Sequence, residues 1–209
     1  MRKSQIAIAA VFYLVSIGYF TASGSAAEEE GFRPLFNGKD TAGWRLRNPR
    51  GPNSWTVQDG ILKNTAGGDV HGTDLVSDQK FWNFTVKFEY LVPDNSNSGF
   101  YLRGRHELQI LGDFATGKPA LAGNGAIYNF KAPDKFVSKP GDQWQTVEAT
   151  IIGNRITVVQ NGEKIHDNVE CNKATGSELD DKVDQPGSFF LQGDHGTVSF
   201  RNMRIKELK

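Results

Sequence analysis

The stretch "NSNSGFYLRGRHELQILGD", Asn95 to Asp113, alternates apolar and polar residues on both sides of a break at Gly104. That is the period-two pattern of two half-buried strands joined by a tight turn. On the first strand Phe100 and Leu102 share one face and Tyr101 and Arg103 the other; on the second, Leu108 and Ile110 oppose Glu107 and Gln109. Cross-strand partners lie on the same face of a sheet. A two-residue turn would set Leu102 opposite Glu107 and mix the faces. A three-residue turn over Gly104, Arg105 and His106 pairs Leu102 with Leu108, Phe100 with Ile110, Arg103 with Glu107 and Tyr101 with Gln109, and this is the register expected. One face is then wholly apolar, and the other carries a guanidinium, a carboxylate, a carboxamide and a phenol side by side. Such a face suits a hydroxyl-rich ligand; the alternative is a solvated face with one cross-strand ion pair worth about 0.5 kcal/mol.

The same alternation recurs along the chain. "SWTVQDGILKN", "FWNFTVKFEYLV", "QTVEATIIGNRITVVQNGEKIHD" and "GTVSFRNMRIKEL" are rich in Val, Ile, Thr and aromatics, and Asn37-Gly38, Asp59-Gly60, Gly67-Gly68, Gly153-Asn154 and Asn161-Gly162 punctuate them. No apolar stripe of helical period follows residue 30. Many short strands with frequent turns predict an all-β chain, an antiparallel β-sandwich or barrel. Two stretches do not alternate, Gly112 to Asp142 and Asn168 to Gly187. Loops of that length commonly bind something, and the first is well placed to wall the polar hairpin.

The chain opens "MRKSQIAIAAVFYLVSIGYFTASGSAAEEE". A positive start at Arg2 and Lys3, an apolar run from Ile6 to Phe20 and a small-residue exit at Ala27 predict a cleaved secretory signal over residues 1–27. A single mature domain over 28–209 is expected in the periplasm or outside the cell. Lys and Arg number 24, as do Asp and Glu, and no basic run suggests a nucleic-acid partner. Cys171 is the one cysteine, so no internal disulfide forms, and nothing near it in sequence activates a thiol. Trp44, Trp55, Trp82 and Trp144 are expected as core anchors rather than sugar platforms.

Two-carboxylate glycoside hydrolysis needs acids flanking the bond. The strand position where β-sandwich glucanases alternate Glu, Asp and Glu reads Glu107, Gln109, Leu111 here, so that chemistry is disfavoured on this strand, although Asp113 or Asp194 could supply a distant partner. A second polar cluster, "LQGDHGTVSFRN", sets Gln192, Asp194 and His195 before a strand, between Gly193 and Gly196, which are expected to let the backbone turn sharply. An Asp beside a His fixes its tautomer, and imidazole is suited to proton transfer near neutrality. A tight turn capped by those side chains is the plainer alternative. His71, His106 and His195 have no metal-ligand spacing.

The blocks "FRPLFNGKDTAGW", "SWTVQDGIL", "NSGFYLRGRHELQIL", "NGAIYNFKAP", "GDQWQTVEATIIGNRITVVQNG" and "DQPGSFFLQGDHGTVSFRNMRIKEL" together resemble the 3-keto-disaccharide hydrolase domain family from about Gly31 to Leu208. The resemblance implies a concanavalin-like or laminin-G-like jelly roll with one ligand-facing sheet. It also implies a glucoside whose C3 hydroxyl has first been oxidised by a separate sugar 3-oxidoreductase. A C3 ketone acidifies the C2 proton, so a base can remove it and the C1 aglycone can leave by elimination, with water added back afterwards. On this reading Glu107 and His195, the latter tuned by Asp194, are the base and acid. Tyr101, Arg103, Gln109, Tyr128 and Gln192 line the sugar site, and a divalent cation could act as electrophile with no ligand set implied. An ion pair from Arg103 would depress the Glu107 carboxyl and favour His195 as base. A non-catalytic carbohydrate-binding module and an envelope interaction domain are the alternatives.

Overall fold

The computed structural model describes residues 29–209; the expected signal segment lies outside the described residues. In chain order come β1 (Arg33–Pro34), β2 (Trp44–Leu46), β3 (Trp55–Gln58), β4 (Ile61–Asn64), β5 (Leu75–Phe81) and β6 (Phe84–Leu91). The hairpin β7 (Asn97–Leu102) and β8 (His106–Leu111) follows, then β9 (Gln145–Ile152), β10 (Arg155–Gln160) and β11 (Glu163–Glu170). β12 (Gly187–Leu191) and β13 (Val198–Glu207) close the chain. Among the described residues the one helical piece is a 3-10 turn, Phe114–Thr116.

All pairings are antiparallel and fall into two sheets. One has the order β11-β10-β9-β6-β13-β4-β3 with β1 also on β13; the other is β2-β5-β12-β7-β8. Their facing sides bury a single cluster that includes Phe84, Phe88, Phe100, Phe189 and Phe200. Phe88 of the larger sheet stacks on Phe100 of the smaller at 4.0 Å between centroids, a contact worth about 1 kcal/mol beyond the area it buries. The expected antiparallel sandwich of jelly-roll type is thus what forms, and the turns at Gly153-Asn154 and Asn161-Gly162 join β9, β10 and β11.

The hairpin faces are as read, with Phe100, Leu102, Leu108 and Ile110 in the core cluster. Its register is not. Tyr101 pairs with Glu107, Phe100 with Leu108, Gly99 with Gln109 and Leu102 with His106. The turn is Arg103-Gly104-Arg105, one residue earlier than expected, and it shifts the register by two, which preserves every face. Arg103 adopts a left-handed φ of 53° and Gly104 one of 68°. Arg103 leaves the strand because partners lie at the end of the sandwich. Its guanidinium lies 4.1 Å from the Trp82 ring centroid and donates to the carbonyls of Val183 and Gly153.

The tryptophans divide. Trp44 and Trp55 are buried in the core cluster. Trp82 and Trp144 are only half-buried, and each carries an arginine guanidinium on its ring, Arg103 and Arg201 respectively. Cys171 is buried and free, and burial pushes its thiol up to about 11, consistent with an inert side chain.

The two long irregular stretches both serve β8, whose outer edge is unpaired within its sheet. From the first, Gly125 donates to Gln109 O, Gln109 N–H to Ala126 O and Tyr128 N–H to Glu107 O. From the second, Thr175 Oγ1 accepts from Glu107 N–H and Leu179 N–H donates to Gly104 O. An exposed strand edge is thereby covered, and both stretches end up beside the polar face of the hairpin.

Candidate functional site

Residues in register build a row across the outer face of the five-stranded sheet, from Arg45 through Val76, Phe190 and Tyr101 to Glu107. Val76, Phe190 and Tyr101 are buried yet stand outside the core cluster. Phe190 stacks on Tyr101 at 4.1 Å, so the row ends in a fixed phenol. Tyr101 donates its hydroxyl to Glu107 Oε2 at 2.8 Å.

The carboxyl of Glu107 folds back over Gly99. A Cβ at Gly99 would stand 2.3 Å from Glu107 Oε1, so the absent side chain makes the space in which the carboxyl sits. Glu107 is 3% exposed. Burial dominates its titration and raises the carboxyl to about 7, aided by the charges of Asp194 and Asp74 and opposed by the Tyr101 hydrogen bond and by His195. The expected depression by Arg103 does not occur, because Arg103 points elsewhere.

A small cleft of about 70 Å³ brings together Tyr101, Glu107, Gln109, Tyr128, Gln192 and His195. Asp194 joins through His195, whose Nδ1–H donates to the Asp194 carboxylate, leaving Nε2 as the free ring nitrogen. Seven of the eight residues singled out in sequence therefore converge, and Arg103 alone does not. Asn97 and Ser177 also line the cleft. Asn97 lies two residues before Gly99 and four before Tyr101, on the same strand face, and that alternation could have found it. Ser177 sits in a stretch without periodicity, and no sequence signal pointed to it.

The turn carrying His195 is held by close backbone approach rather than by left-handed glycines. Neither Gly193 nor Gly196 has positive φ; a Cβ at Gly193 would lie 2.5 Å from Thr73 O, and one at Gly196 would lie 2.5 Å from Ser96 Oγ. Gly193 N–H donates to the buried carboxylate of Asp74, and Asn64 Nδ2 donates to the carbonyls of Gly193 and Gly196. Burial raises the Asp74 carboxyl above its ordinary value.

Three carboxamide oxygens at the cleft are buried and have no partner: Asn97 Oδ1, Gln109 Oε1 and Gln192 Oε1. Gln109 is oriented by its own Nε2, which donates to Ala122 O at 3.3 Å. Buried acceptors without donors are costly, about 1–3 kcal/mol each, so their convergence marks a place for donors supplied by water or by a ligand. Among the described residues no group of three or more His, Cys, Asp or Glu side chains is placed to hold a metal ion.

Residues 31–206 match the family described as 3-keto-alpha-glucoside-1,2-lyase-like domain. A 3-keto-disaccharide hydrolase of Bacteroides thetaiotaomicron is 40% identical over 82 residues, which are 36% of this chain and 28% of that protein. The chain thus aligns with less than a third of that relative's length. A crystal structure of a candidate glycosyl hydrolase from Parabacteroides distasonis superposes with TM-score 0.67 and 25% identity, covering 86% of this chain and 84% of the other. A second from the same organism gives 0.70 at 24% identity, over 86% and 95%, and speaks for the fold. With a match spanning nearly all of the described residues, the chain belongs to the family of 3-keto-alpha-glucoside-1,2-lyase-like domains.

Proposed function

We propose that the protein cleaves 3-keto-glucosides at this cleft, by C2 proton abstraction and elimination followed by hydration. The observation that carries the reading is the convergence of unpartnered buried acceptors at Asn97, Gln109 and Gln192 with a carboxyl raised to about 7 and an Asp-paired imidazole. Acceptors without donors match the hydroxyls of a sugar, and the two titratable groups match the two proton transfers of an elimination.

His195 Nε2 takes the C2 proton, and Asp194 on Nδ1 stabilises the imidazolium that results. The C2–H electron pair becomes the enolate at C2–C3, then re-forms the C3 carbonyl as a C1–C2 double bond forms and the C1–O bond breaks. Glu107, still partly protonated near neutrality, gives its proton to the departing oxygen. Water then adds at C1 and a proton returns to C2, so the sum is hydrolysis. The carboxamides and Tyr128 hold the ring hydroxyls and the ketone, with only the reacting edge of the ring inside the small cleft.

Such a substrate requires an oxidoreductase acting upstream at C3 and, given the predicted signal segment, an exported location. The test is aglycone release from a 3-keto-glucoside beside the same glucoside left unoxidised. Release from the keto form alone is the expected result. Binding without release from either would make the protein a carbohydrate-binding module.

A further inference from the structure

At the other end of the same sheet face lies a second cavity, of about 330 Å³, whose walls include Arg45, Arg47, Lys80, Arg105 and Asp180 over a floor at Val76 and Ser188. We propose that it is an anion-binding subsite, receiving a carboxylate, sulfate or phosphate carried on the leaving group of the glycoside; as a statement about substrate class it rests on the function proposed above.

Five cationic side chains line this cavity, Arg103 being the fifth. The carboxylates that meet them are fewer. Asp78 pairs with Arg45 at 3.0 Å, Asp74 with Arg47 at 3.4 Å and Asp180 with Arg105 at 2.6 Å. Among the described residues Arg103 makes no carboxylate contact. It is 1% exposed with Nε unpartnered, and burial together with the Arg105 charge lowers its guanidinium to about 10. Two buried guanidiniums, of which only Arg105 is met by a carboxylate, carry an excess of positive charge that an incoming anion relieves. Arg105 Nε and Nη1 are committed to Asp180 and to Gln185 O, and Arg45 Nη1 to Ser77 O and Asp78. Arg105 Nη2, the other Arg45 nitrogens and Lys80 Nζ have no protein acceptor among the described residues, which leaves donors from three residues for a ligand.

Position connects the two sites. The row that ends at Glu107 passes through Val76 three strands away, about 14 Å at ordinary strand spacing. That distance fits a unit attached to a sugar whose C1 is at Glu107. Arg47 forms the partition. Its guanidinium lies over Phe190 at 5.1 Å and donates to Ser177 O and Glu178 O, and this holds the segment that walls both cavities. The groove is also polarised, with the carboxylates of Asp74 and Asp194 toward one end and the arginines at the other. An anionic group is repelled from the cleft and drawn to the cavity, so a glycoside with an acidic leaving group binds in one direction only.

The test uses the exposed residues Arg45 and Lys80, neither of which has a part in the chemistry. In the double variant Arg45→Gln/Lys80→Gln, KM for 3-keto-glucosides of para-carboxyphenyl, para-sulfophenyl and para-phosphophenyl aglycones is measured against the neutral para-carbamoylphenyl compound. We expect the native protein to favour at least one anionic aglycone by about tenfold, the preference to vanish in the variant, and the neutral substrate to be unaffected. Equal turnover of charged and neutral substrates by the native protein would overturn the subsite while leaving the function standing. Calorimetric titration of the corresponding unoxidised glucosides at low salt separates the two ideas. Anion-selective binding that the variant loses supports the subsite even if no keto-glucoside is cleaved, and binding indifferent to charge refutes it.

Discussion

Glu107 owes its chemistry to two neighbours and to burial. Tyr101 fixes one oxygen, the absent side chain of Gly99 houses the other, and burial lifts the carboxyl to about 7. If Glu107 is the acid, activity falls as pH rises above about 7, and Glu107→Gln loses about 10²–10⁴-fold on a poor leaving group. The loss shrinks on a nitrophenyl leaving group that needs no proton, whereas a role as base would give the same loss for both; steady-state rates on the two substrates distinguish these. Gly99→Ala tests the housing. Its φ is not left-handed, so the new methyl acts by displacing the carboxyl rather than by straining the backbone. The expectation is about a tenfold or greater fall in kcat with the thermal midpoint only modestly lowered. His195→Ala removes turnover while retaining affinity for the unoxidised glucoside, measured by calorimetry.

At the scale of elements, the cleft depends on two irregular segments docked against one strand edge. The first is clamped by a buried polar network in which Asn124 N–H donates to Asp113 Oδ2, Asn124 Nδ2 to Ser138 Oγ, and Tyr90 OH to Asn124 Oδ1. Asn124→Ala leaves several of these groups unpaired, so it should cost about 1–3 kcal/mol in chemical denaturation and raise KM by loosening Tyr128 and Ala122, which orient sugar and Gln109. Much of this organisation was legible in the sequence. Alternation in "GFYLRGRHELQIL" assigned both faces of the hairpin, because the side-chain period is two regardless of where the turn falls. The turn falls one residue earlier than alternation predicts, because Arg103 continues the strand pattern in sequence while Trp82, Val183 and Gly153 offer its guanidinium a better place off the strand. Those partners come from three distant segments, and no local pattern records them. The same holds for the cationic cavity, since Arg45, Arg47, Lys80, Arg103 and Arg105 form no basic run yet meet once the sheet is assembled. Ser177 likewise entered the cleft through tertiary docking alone.

In the whole molecule the site competes with stability. Glu107 is held protonated in the fold, to about 7 from an ordinary 4.5. The native state binds its proton more tightly, so stability falls as pH rises from about 4.5 to 7. His106, wholly buried, is pushed by burial and by the charges of Arg103 and Arg105 down to about 4 from 6.5. Its contribution is present above 6.5 and is lost as pH falls toward 4. The two slopes oppose each other. Glu107→Gln removes one, so its thermal midpoint should exceed that of the native protein at pH 8 and approach it near pH 4, a difference of up to about 3 kcal/mol. Scanning calorimetry at the two pH values checks the sign. The chemistry of the cleft is tested most directly with a 3-keto-glucoside carrying deuterium at C2. Elimination predicts slower aglycone release than from the protiated compound and loss of the deuterium to solvent. Equal rates with the deuterium retained at C2 in the product would mean direct displacement at C1, and would contradict proton abstraction by His195.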